Sequence, residues 1–279
     1  MNNQKNVMIT GANSGIGKLT AITLAKAGFY VIIAGRSKEK TSKTIDEINS
    51  YVGENCCEWI QMHLDSLSSV KNCANIFLNS GRNLNMLINN AGLAGAHGLT
   101  TDGFELGFGV NHVGHFLLTY LLLEKLNEFD NSRVITVSSK AHKHAKFIDW
   151  ELVRKKTISI TGISEYAVSK LANILFTREL VKRFPSKNTS AYCLHPGIVD
   201  TDIWRTLPSF LRPLLRIKGI LTPEEGAKTT IYCALNAPQK ESGNYYDREQ
   251  IAIPSEIAQS DALAGELWDR SLEWTKNFH

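Results

Sequence analysis

Short apolar runs rich in β-branched residues alternate along the chain with longer segments in which apolar positions recur every three or four residues. The pattern begins with runs at residues 7–10 and 30–34, which are followed by periodic segments at 16–27 and 37–50. Runs of the first kind are typical of β-strands, and segments of the second kind are typical of amphipathic helices. Their alternation predicts βαβ units, in which a helix joins two parallel strands.

The same alternation continues into the second half of the chain. It predicts strands at residues 59–63, 86–89, 133–138 and 190–194, and helices after Leu67, from about 102 to 126 and from 163 to 184. The run at 134–137 is continuously apolar or β-branched, which indicates burial on both faces, as in a parallel sheet covered by helices. The predicted fold class is therefore α/β: a doubly wound parallel sheet, or Rossmann fold, with helices on both faces.

Two segments interrupt the alternation, at about 140–161 and 203–221. Each would leave the carboxyl end of a strand, where open α/β sheets bind ligands. The first is basic and is predicted to be a long loop between a strand end and a helix, while the second mixes leucines with four basic residues. For the second, three interpretations stay open: a lid over an apolar substrate, a helix docked on a membrane surface, or an amphipathic packing element.

Length and composition narrow the class of protein. The 279 residues are enough for one large α/β domain or two small ones, and a hydrophobic share of 43% excludes disorder. No linker or repeat divides the chain, so we expect a single domain spanning residues 1–279. The formal net charge of +4 is spread along the chain without long basic runs, which argues against a nucleic-acid partner.

Cysteine usage and the N-terminus bear on location. The five cysteines include no C-x-x-C pair, which is typical of free thiols in a reducing compartment. No charged-then-apolar leader opens the chain, and no apolar stretch approaches the roughly 20 residues of a membrane span. We expect a cytoplasmic protein without a transmembrane segment or an N-terminal anchor, although peripheral membrane contact and a homodimer stay open.

A glycine-rich turn follows the first predicted strand, at residues 10–17 with the sequence TGANSGIG. Gly11 would permit the tight turn, Gly15 would let the backbone approach a pyrophosphate, and Gly17 would allow close packing of the helix that follows. The sequence lacks the Gly and the Ser or Thr that a P-loop needs at its spacing. A turn of this kind between a strand and a helix favours a dinucleotide.

The second predicted strand ends at Gly35, Arg36 and Ser37. NAD-binding folds usually carry an acidic residue there, which holds the ribose 2′-hydroxyl and repels a 2′-phosphate. Because Arg36 and Ser37 could instead bind such a phosphate, the sequence favours NADP(H), while NAD(H) stays open. The alternative is that Arg36 is an ordinary surface residue.

Tyr166 and Lys170 lie four residues apart at the start of a predicted helix, and so share one face. A nearby ammonium favours the tyrosinate, which suits a general acid or base. Other polar groups follow strand ends: residues 89–92 (NNAG), Ser138 with Ser139, and residues 196–201; Asn111 lies in a neighbouring helix. All of them are expected at the edge of the sheet where a cofactor would lie.

Together these motifs resemble the short-chain dehydrogenase/reductase family over nearly the whole chain. Residues 111–118 (NHVGHFLL), 166–176 (YAVSKLANILF) and 195–197 (HPG) resemble its retinol dehydrogenase-like branch. The resemblance implies an NAD(P)-dependent oxidoreductase that interconverts a lipophilic alcohol and its aldehyde or ketone. Two alternatives stay open: a non-catalytic dinucleotide sensor, and an epimerase or double-bond reductase of the same fold.

The resemblance also implies roles for individual residues. Tyr166 would be the general acid/base, Ser139 rather than Ser138 would hydrogen-bond the substrate oxygen, and Lys170 would lower the Tyr166 pKa and hold the nicotinamide ribose. Asn111 would keep its helix locally open for a water that relays protons. The implied cofactor-binding residues are Gly11, Ser14, Ile16, Gly17, Arg36, Ser37, Asp65, Asn89, Ala91, Gly92, Tyr166, Lys170, Ile198 and Thr201.

The histidines could suggest a metal site, because His112 and His115, and His142 and His144, are closely spaced. Neither pair has a third ligand at a recognised spacing, so we expect no metal. We expect His112 and His115 to be packed or hydrogen-bonded helix residues, and His142 and His144 to be solvated loop residues.

Overall fold

A computed structural model describes residues 4–53, 55–197 and 221–279. Within these ranges, eight strands form one sheet in the order β3-β2-β1-β4-β5-β6-β7-β8. All neighbours pair in parallel except β7 and β8, which are antiparallel. The strands are β1 Lys5–Thr10, β2 Phe29–Gly35, β3 Cys57–Gln61, β4 Met86–Asn89, β5 Ser132–Val137, β6 Thr189–His195, β7 Tyr245–Asp247 and β8 Gln250–Ile251.

Helices cover both faces of the sheet. They are α1 Gly15–Lys26, α2 Lys38–Val52, α3 Leu67–Asn79, α4 Leu106–Asn127, α5 Ile163–Arg183, α6 Pro223–Leu235 and α7 Asp261–Thr275. Because successive strand residues point to opposite faces, Met8 joins a core with α3, α4, α5 and α7, while Val7 and Ile9 join a second core with α1, α2 and α6. The predicted α/β doubly wound sheet with helices on both faces is confirmed.

The largest difference from the predicted boundaries is at the start of the fourth helix. The fourth helix begins at Leu106 instead of about residue 102, because Leu99 and Glu105 form an isolated antiparallel bridge before it. The Glu105 side chain then accepts a hydrogen bond from the N–H of Phe108 and caps the new helix. Elements α6, α7, β7 and β8 lie in a part of the chain for which the sequence pattern made no prediction.

Helix α4 is a core helix. By length and composition it is the one helix in the described part of the chain that could cross a membrane, with 22 residues. However, 83% of its most apolar window is buried inside the protein, between α3 and α5. Its first half contains a π-helical turn at Gly109–Val113, where the N–H of Gly114 reaches back five residues to the carbonyl of Gly109.

All five cysteines are buried, and none forms a disulfide, as the sequence predicts. Burial raises the pKa of Cys57, Cys73 and Cys193 to about 12. These side chains are therefore protonated thiols at neutral pH that pack as small apolar groups.

Candidate active site

The glycine-rich turn joins β1 to α1 and leaves the N-terminus of α1 uncovered. Ser14 occupies the N-cap position, but its side chain makes no capping hydrogen bond, and the first turn of α1 has no acidic residue. A Cβ at Gly17 would lie 2.4 Å from Asn90 Nδ2 and 2.7 Å from the carbonyl oxygen of Gly11. Backbone N–H groups at such a helix end attract anions. These features fit the predicted role of Gly11, Ser14, Ile16 and Gly17 in holding a pyrophosphate.

Thr10 and Asn90 clamp this turn to the end of β4. Thr10 Oγ1 accepts hydrogen bonds from the N–H groups of Asn90 and Ala91, both at 2.9 Å. The Asn90 side chain donates in turn to the Thr10 carbonyl at 2.9 Å. The carboxyl ends of β1 and β4 are thereby locked together. The sequence motifs predicted no role for Thr10 or Asn90, although both residues lie within them.

Asn89 directs its side chain into the protein interior. Its Nδ2 donates to Thr119 Oγ1 at 2.9 Å, and its Oδ1 has no hydrogen-bond partner among the described residues. Ala91 and Gly92 are half-buried at the same strand end. A cofactor lying there would therefore meet the backbone of residues 89–92 and not the amide of Asn89.

Arg36 and Ser37, the residues predicted to bind a 2′-phosphate, follow the end of β2. Arg36 is exposed, and Ser37 caps α2 by accepting a hydrogen bond from the N–H of Lys40. Asp65, after β3, is half-buried, and its carbonyl accepts hydrogen bonds from the N–H and hydroxyl of Thr101 at 2.9 and 2.7 Å. A phosphate here would meet the Arg36 guanidinium and the N-terminus of α2 together.

Tyr166 lies in the first turn of α5 and is buried, with 4% of its surface exposed. Its hydroxyl is hydrogen-bonded to the Ser139 side chain, which lowers the pKa of Tyr166. Burial acts more strongly in the opposite direction and raises the pKa to about 12. Tyr166 is therefore a phenol at neutral pH, which is the form that can donate a proton.

Lys170 is one turn further along α5 and is also buried. Its ammonium donates to the carbonyl of Val137 at 2.8 Å and lies 5.6 Å from the ring centroid of Tyr166. Burial lowers the pKa of Lys170 to about 8. The expected pairing on one helix face is present, but the expected fall in the Tyr166 pKa is not, because desolvation of the phenol dominates.

The two serines after β5 have different surroundings. Ser138 Oγ donates to the carbonyl of Lys170 at 2.7 Å, which binds the strand end to α5. Ser139 is the serine that contacts Tyr166, and its Oγ also accepts a hydrogen bond from the N–H of Ala141 at 3.2 Å. The geometry thus brings Ser139, as preferred from the sequence, together with Tyr166, and gives Ser138 a structural role.

Asn111 lies in the π-helical turn of α4, and its role in holding a water there stays a prediction. Its side chain brackets the peptide groups of Leu93: Oδ1 accepts from the N–H at 2.8 Å, and Nδ2 donates to the carbonyl at 2.9 Å. Nδ2 also donates to Ser169 Oγ at 2.8 Å. Asn111 therefore ties the loop after β4 to the helix that carries Tyr166 and Lys170.

His112 and His115 are buried, hydrogen-bonded helix residues, as predicted. His112 Nε2 lies 3.0 Å from Ser271 Oγ of α7, and His115 Nδ1 lies 3.1 Å from the carbonyl oxygen of Asn111. Burial lowers the pKa of His112 to about 3 and that of His115 to about 4. Both rings are neutral at pH 7. Across the described ranges, no group of three or more His, Cys, Asp or Glu side chains could hold a metal ion.

The prediction for His142 was wrong. It is fully buried, whereas His144 is exposed as expected. His142 Nδ1 lies 2.6 Å from the carbonyl oxygen of Ser139, and its Nε2 lies 3.1 Å from the backbone nitrogen of Ser255. The loop residue is buried because the chain after β8 folds over it.

The rest of the 140–161 excursion lines a separate cavity of about 430 Å³. Its wall on α5 consists of Ser164, Glu165 and Val168, which are spaced on the opposite side of the helix from Tyr166. None of the candidate catalytic residues lines it among the described residues. The excursion therefore begins beside the candidate active site at residues 139–142 and then leads away from it.

Three predicted features lie outside the described residues: Ile198, Thr201 and nearly all of the segment at 203–221. Leu221 is the first described residue after this segment, and its side chain packs against Gly197. A Cβ added at Gly197 would lie 2.3 Å from Leu221 Cδ1.

The chain is similar to known dehydrogenases and reductases over most of its length. The family model described as short chain dehydrogenase matches residues 5–151. Human retinol dehydrogenase 11 is 40% identical over 273 residues, which cover 96% of this chain and 85% of that protein. Bovine dehydrogenase/reductase SDR family member 13 is 38% identical, with coverage of 96% and 72%.

Solved structures show the same architecture. A protein from Mycobacterium paratuberculosis superposes with a TM-score of 0.78 at 33% identity, covering 98% of this chain and 94% of that one. NADPH-bound carbonyl reductase from chicken fatty liver superposes with a TM-score of 0.68 at 24% identity, covering 90% and 99%. At that identity, the second likeness concerns the fold alone.

Proposed function

The chain belongs to the short-chain dehydrogenase/reductase family, in its retinol dehydrogenase-like branch, and from that premise we propose that it interconverts a lipophilic alcohol and its aldehyde or ketone with NADP(H). Membership makes it an NAD(P)-dependent oxidoreductase. The observation that carries the finer proposal is the contact between the Ser139 and Tyr166 hydroxyls, with the Lys170 ammonium 5.6 Å from the Tyr166 ring. These three groups, contributed by the loop after β5 and by α5, are suited to proton transfer at a carbonyl oxygen.

The residues present fit a dinucleotide. The uncapped N-terminus of α1 and the closely packed glycines give the pyrophosphate a site made of backbone groups. The backbone of residues 89–92 would line the adenosine ribose, and Asp65 would meet the adenine edge. Lys170 would hold the nicotinamide ribose. When bound, the nicotinamide supplies or accepts the hydride.

Tyr166 performs the proton transfer in this proposal. During reduction its phenol donates a proton to the carbonyl oxygen, while hydride adds to the carbonyl carbon, so the product is the neutral alcohol. Ser139 donates a hydrogen bond to the same oxygen and orients it. The buried Lys170 ammonium stabilises the phenolate that remains. During oxidation the same groups act in reverse, with Tyr166 as the base.

The preference for NADP(H) rests on the end of β2. Arg36 is exposed there beside the N-terminus of α2, and no acidic side chain stands at positions 35–37. An exposed guanidinium offers a fork of N–H donors that suits a 2′-phosphate.

The lipophilic substrate class has two supports. The relatives in this branch are named for retinol, a largely apolar alcohol. In addition, Ile251 at the end of β8 is 50% exposed and Ile253 just after it is 79% exposed, and the segment after β8 reaches His142 through the Ser255–His142 hydrogen bond. Exposed isoleucines on a segment that contacts His142 would add apolar surface for such a substrate.

The test is Tyr166→Phe, assayed by NADPH oxidation with a panel of lipophilic aldehydes and ketones. We expect kcat to fall by about a thousandfold, since general acid catalysis contributes roughly 10²–10⁴. The NADPH dissociation constant should change by less than about threefold. Tyr51→Phe makes the same substitution at an exposed position and should leave turnover unchanged. Retained turnover in Tyr166→Phe would exclude the mechanism.

A further inference from the structure

A buried imidazole lies directly behind Ser139. His142 belongs to the 3₁₀ turn Lys140–His144, which begins immediately after Ser139. Its Nδ1 is 2.6 Å from the Ser139 carbonyl oxygen, and its Nε2 is 3.1 Å from the Ser255 nitrogen. A carbonyl can only accept a hydrogen bond and a backbone N–H can only donate one, so Nδ1 carries the proton and Nε2 is bare. Both nitrogens of the neutral ring are therefore satisfied.

Packing holds this ring in one orientation. His142 has no exposed surface, and it meets the ring of Tyr245 edge to face, with centroids 5.1 Å apart. Tyr245 lies on β7, which pairs with β6 beside the candidate active site. The imidazole is thus fixed by one hydrogen bond on each side and by an aromatic contact with the sheet.

Ser139 needs such support because it lies beyond the last paired residue of its strand. Strand β5 ends at Val137, and Ser138 still donates its N–H to the carbonyl of Leu194 at 2.7 Å. The carbonyl of Ser139 accepts two hydrogen bonds from His142, one from its side chain and one from its backbone N–H. On its other side, the Ser139 hydroxyl contacts Tyr166. The N–H of the same peptide, on Lys140, donates to His195 Nδ1 at the end of β6 at 3.2 Å. The orientation of the Ser139 hydroxyl therefore depends on side-chain contacts and not on strand pairing.

We propose that His142 is a positioning residue for Ser139. Its Nδ1–H fixes the Ser139 peptide so that the hydroxyl stays against Tyr166, and its Nε2 ties this arrangement to the segment at 252–256 after β8. The inference rests on the proposed function, because it assigns Ser139 to the reaction. Its physical basis is that small errors in the placement of a catalytic group reduce turnover much more than they reduce binding.

Two polar substitutions separate the two hydrogen bonds of the ring. His142→Asn places an amide N–H close to the position of Nδ1, and so preserves the bond to the Ser139 carbonyl. His142→Gln extends its amide toward Ser255 and does not preserve the geometry at Ser139. We expect kcat of the Asn variant to remain within about threefold of wild type, and kcat of the Gln variant to fall by about ten- to a hundredfold. KM and the NADPH dissociation constant should change by less than about threefold in both.

A second pair of variants leaves His142 in place. Ser255 has φ −61°, which proline adopts, so Ser255→Pro removes the N–H that holds Nε2. Ser255→Ala retains that N–H and is the matched comparison. We expect kcat of the Pro variant to be about three- to tenfold below that of the Ala variant, with similar unfolding midpoints. Lys143→Asn, on an exposed neighbour in the same turn, should leave kcat unchanged.

The outcomes distinguish this inference from the proposed function. If Tyr166→Phe abolishes turnover but the Asn and Gln variants are equally active, or the Gln variant is the faster, His142 does not position Ser139. A Ser255→Pro variant as active as Ser255→Ala leads to the same conclusion. If Tyr166→Phe keeps full turnover, both the proposed function and the role of His142 are overturned. The order Asn above Gln, together with Ala above Pro, supports the positioning role.

Discussion

Thr10 and His115 share a buried hydrogen bond in which Oγ1 and Nε2 lie 2.9 Å apart. Because His115 Nδ1 donates to the carbonyl of Asn111, Nε2 must be the acceptor and the Thr10 hydroxyl the donor. The same hydroxyl oxygen accepts the N–H groups of Asn90 and Ala91. A continuous chain of hydrogen bonds thus connects the candidate cofactor turn, the end of β4 and the π-helical turn of α4.

Replacing the Thr10 hydroxyl should therefore be costly. Thr10→Val keeps the shape of the side chain but leaves the N–H of Ala91 and the Nε2 of His115 without their hydrogen-bond partner, at about 1–3 kcal/mol for each group. The N–H of Asn90 keeps the Ile88 carbonyl as an acceptor at 3.0 Å. We expect the free energy of unfolding, measured by urea denaturation, to fall by about 2–4 kcal/mol. Thr10→Ser retains the hydroxyl and should lose less than half as much. Equal losses in the two variants would show that packing, and not the hydrogen bonds, holds this junction.

Gly17 offers a test of the cofactor turn. In Gly17→Ala the new Cβ would lie 2.4 Å from Asn90 Nδ2 and 2.7 Å from the Gly11 carbonyl oxygen. Asn90 cannot move freely, because the same nitrogen donates to the Thr10 carbonyl. We expect the NADPH dissociation constant, measured by fluorescence titration, to rise by about tenfold or more.

A glycine in α7 provides the control for that substitution. At Gly265 a Cβ would meet its nearest atoms, on Glu179 and Arg183, at 3.8 and 3.9 Å, which is ordinary contact. Gly265→Ala should stabilise the helix by about 0.5–1 kcal/mol and leave NADPH affinity unchanged. Unchanged NADPH affinity in Gly17→Ala would mean that the turn does not contact the cofactor.

Periodicity predicted the sheet and its helices because strands β1, β2, β4, β5 and β6 are largely buried runs, and their amino acids reveal this locally. The i, i+4 spacing likewise predicted that Tyr166 and Lys170 share a helix face. It could not predict the Tyr166 pKa, which depends on how completely α5 is covered and not on which residue lies one turn away. Sequence spacing gives proximity, while desolvation is a property of the assembled core.

The two histidine pairs show the same limit. His112 and His115 lie in a strongly periodic segment, so burial followed from the pattern. His142 lies in a basic, irregular segment, and its burial arises from Tyr245 and Ser255, which are more than a hundred residues away along the chain. No local signal carries that information, because nothing in the sequence pattern after residue 221 predicted an element that would cover it.

The cofactor preference can be tested at Arg36. Arg36→Ala removes the exposed guanidinium beside the N-terminus of α2, and we expect the NADPH dissociation constant to rise by about ten- to a hundredfold. NADH affinity should change by less than about threefold, because NADH has no 2′-phosphate. Lys43→Ala removes a positive charge from the same helix further along, and should affect neither cofactor strongly. An equal loss for both cofactors would remove the 2′-phosphate assignment.

The buried Lys170 ammonium should stabilise the phenolate of Tyr166 during the reaction but lower the free energy of unfolding. Its pKa of about 8, against an ordinary value of 10.5, means that the native state disfavours the ammonium by about 3 kcal/mol. Lys170→Met fills the same space without the charge. The Val137 carbonyl keeps a partner, because Asn173 Nδ2 also donates to it at 3.1 Å. We expect turnover to be lost while the free energy of unfolding at pH 7 rises.

The extra stability of Lys170→Met over wild type should depend on pH, and this dependence is the control. Below about pH 8 Lys170 is protonated in both states, and the full cost of burying the charge is present. Between about pH 8 and 10.5 the unfolded state binds the proton and the native state does not, so wild-type stability rises with pH relative to the variant. The difference between the two proteins should therefore shrink over that range. A Lys170→Met protein that is less stable than wild type at pH 7 would contradict the argument.

His112 should make the protein sensitive to acid. Burial holds its pKa at about 3, against 6.5 for an ordinary histidine, so the unfolded state takes up a proton first as the pH falls. The native state is then penalised, and the stability that is fully present above pH 6.5 is lost progressively below it. At pH 4 this one residue should cost about 3 kcal/mol. His112→Phe removes the titrating group and keeps an aromatic ring among Phe108, Phe116 and Phe176.

The variant should accordingly unfold less readily in acid without a large change at neutral pH. At pH 7 it loses the hydrogen bond to Ser271, but it also removes His112 Nδ1, which has no partner among the described residues. Ser271→Ala loses the same hydrogen bond while keeping the buried histidine, so its stability should still fall steeply between pH 6.5 and 4. Urea denaturation at several pH values compares the two. If His112→Phe and Ser271→Ala show the same acid dependence, protonation of His112 is not coupled to unfolding, and the acid sensitivity has its source in other groups, such as His115 or His195, whose pKa values burial also lowers to about 4.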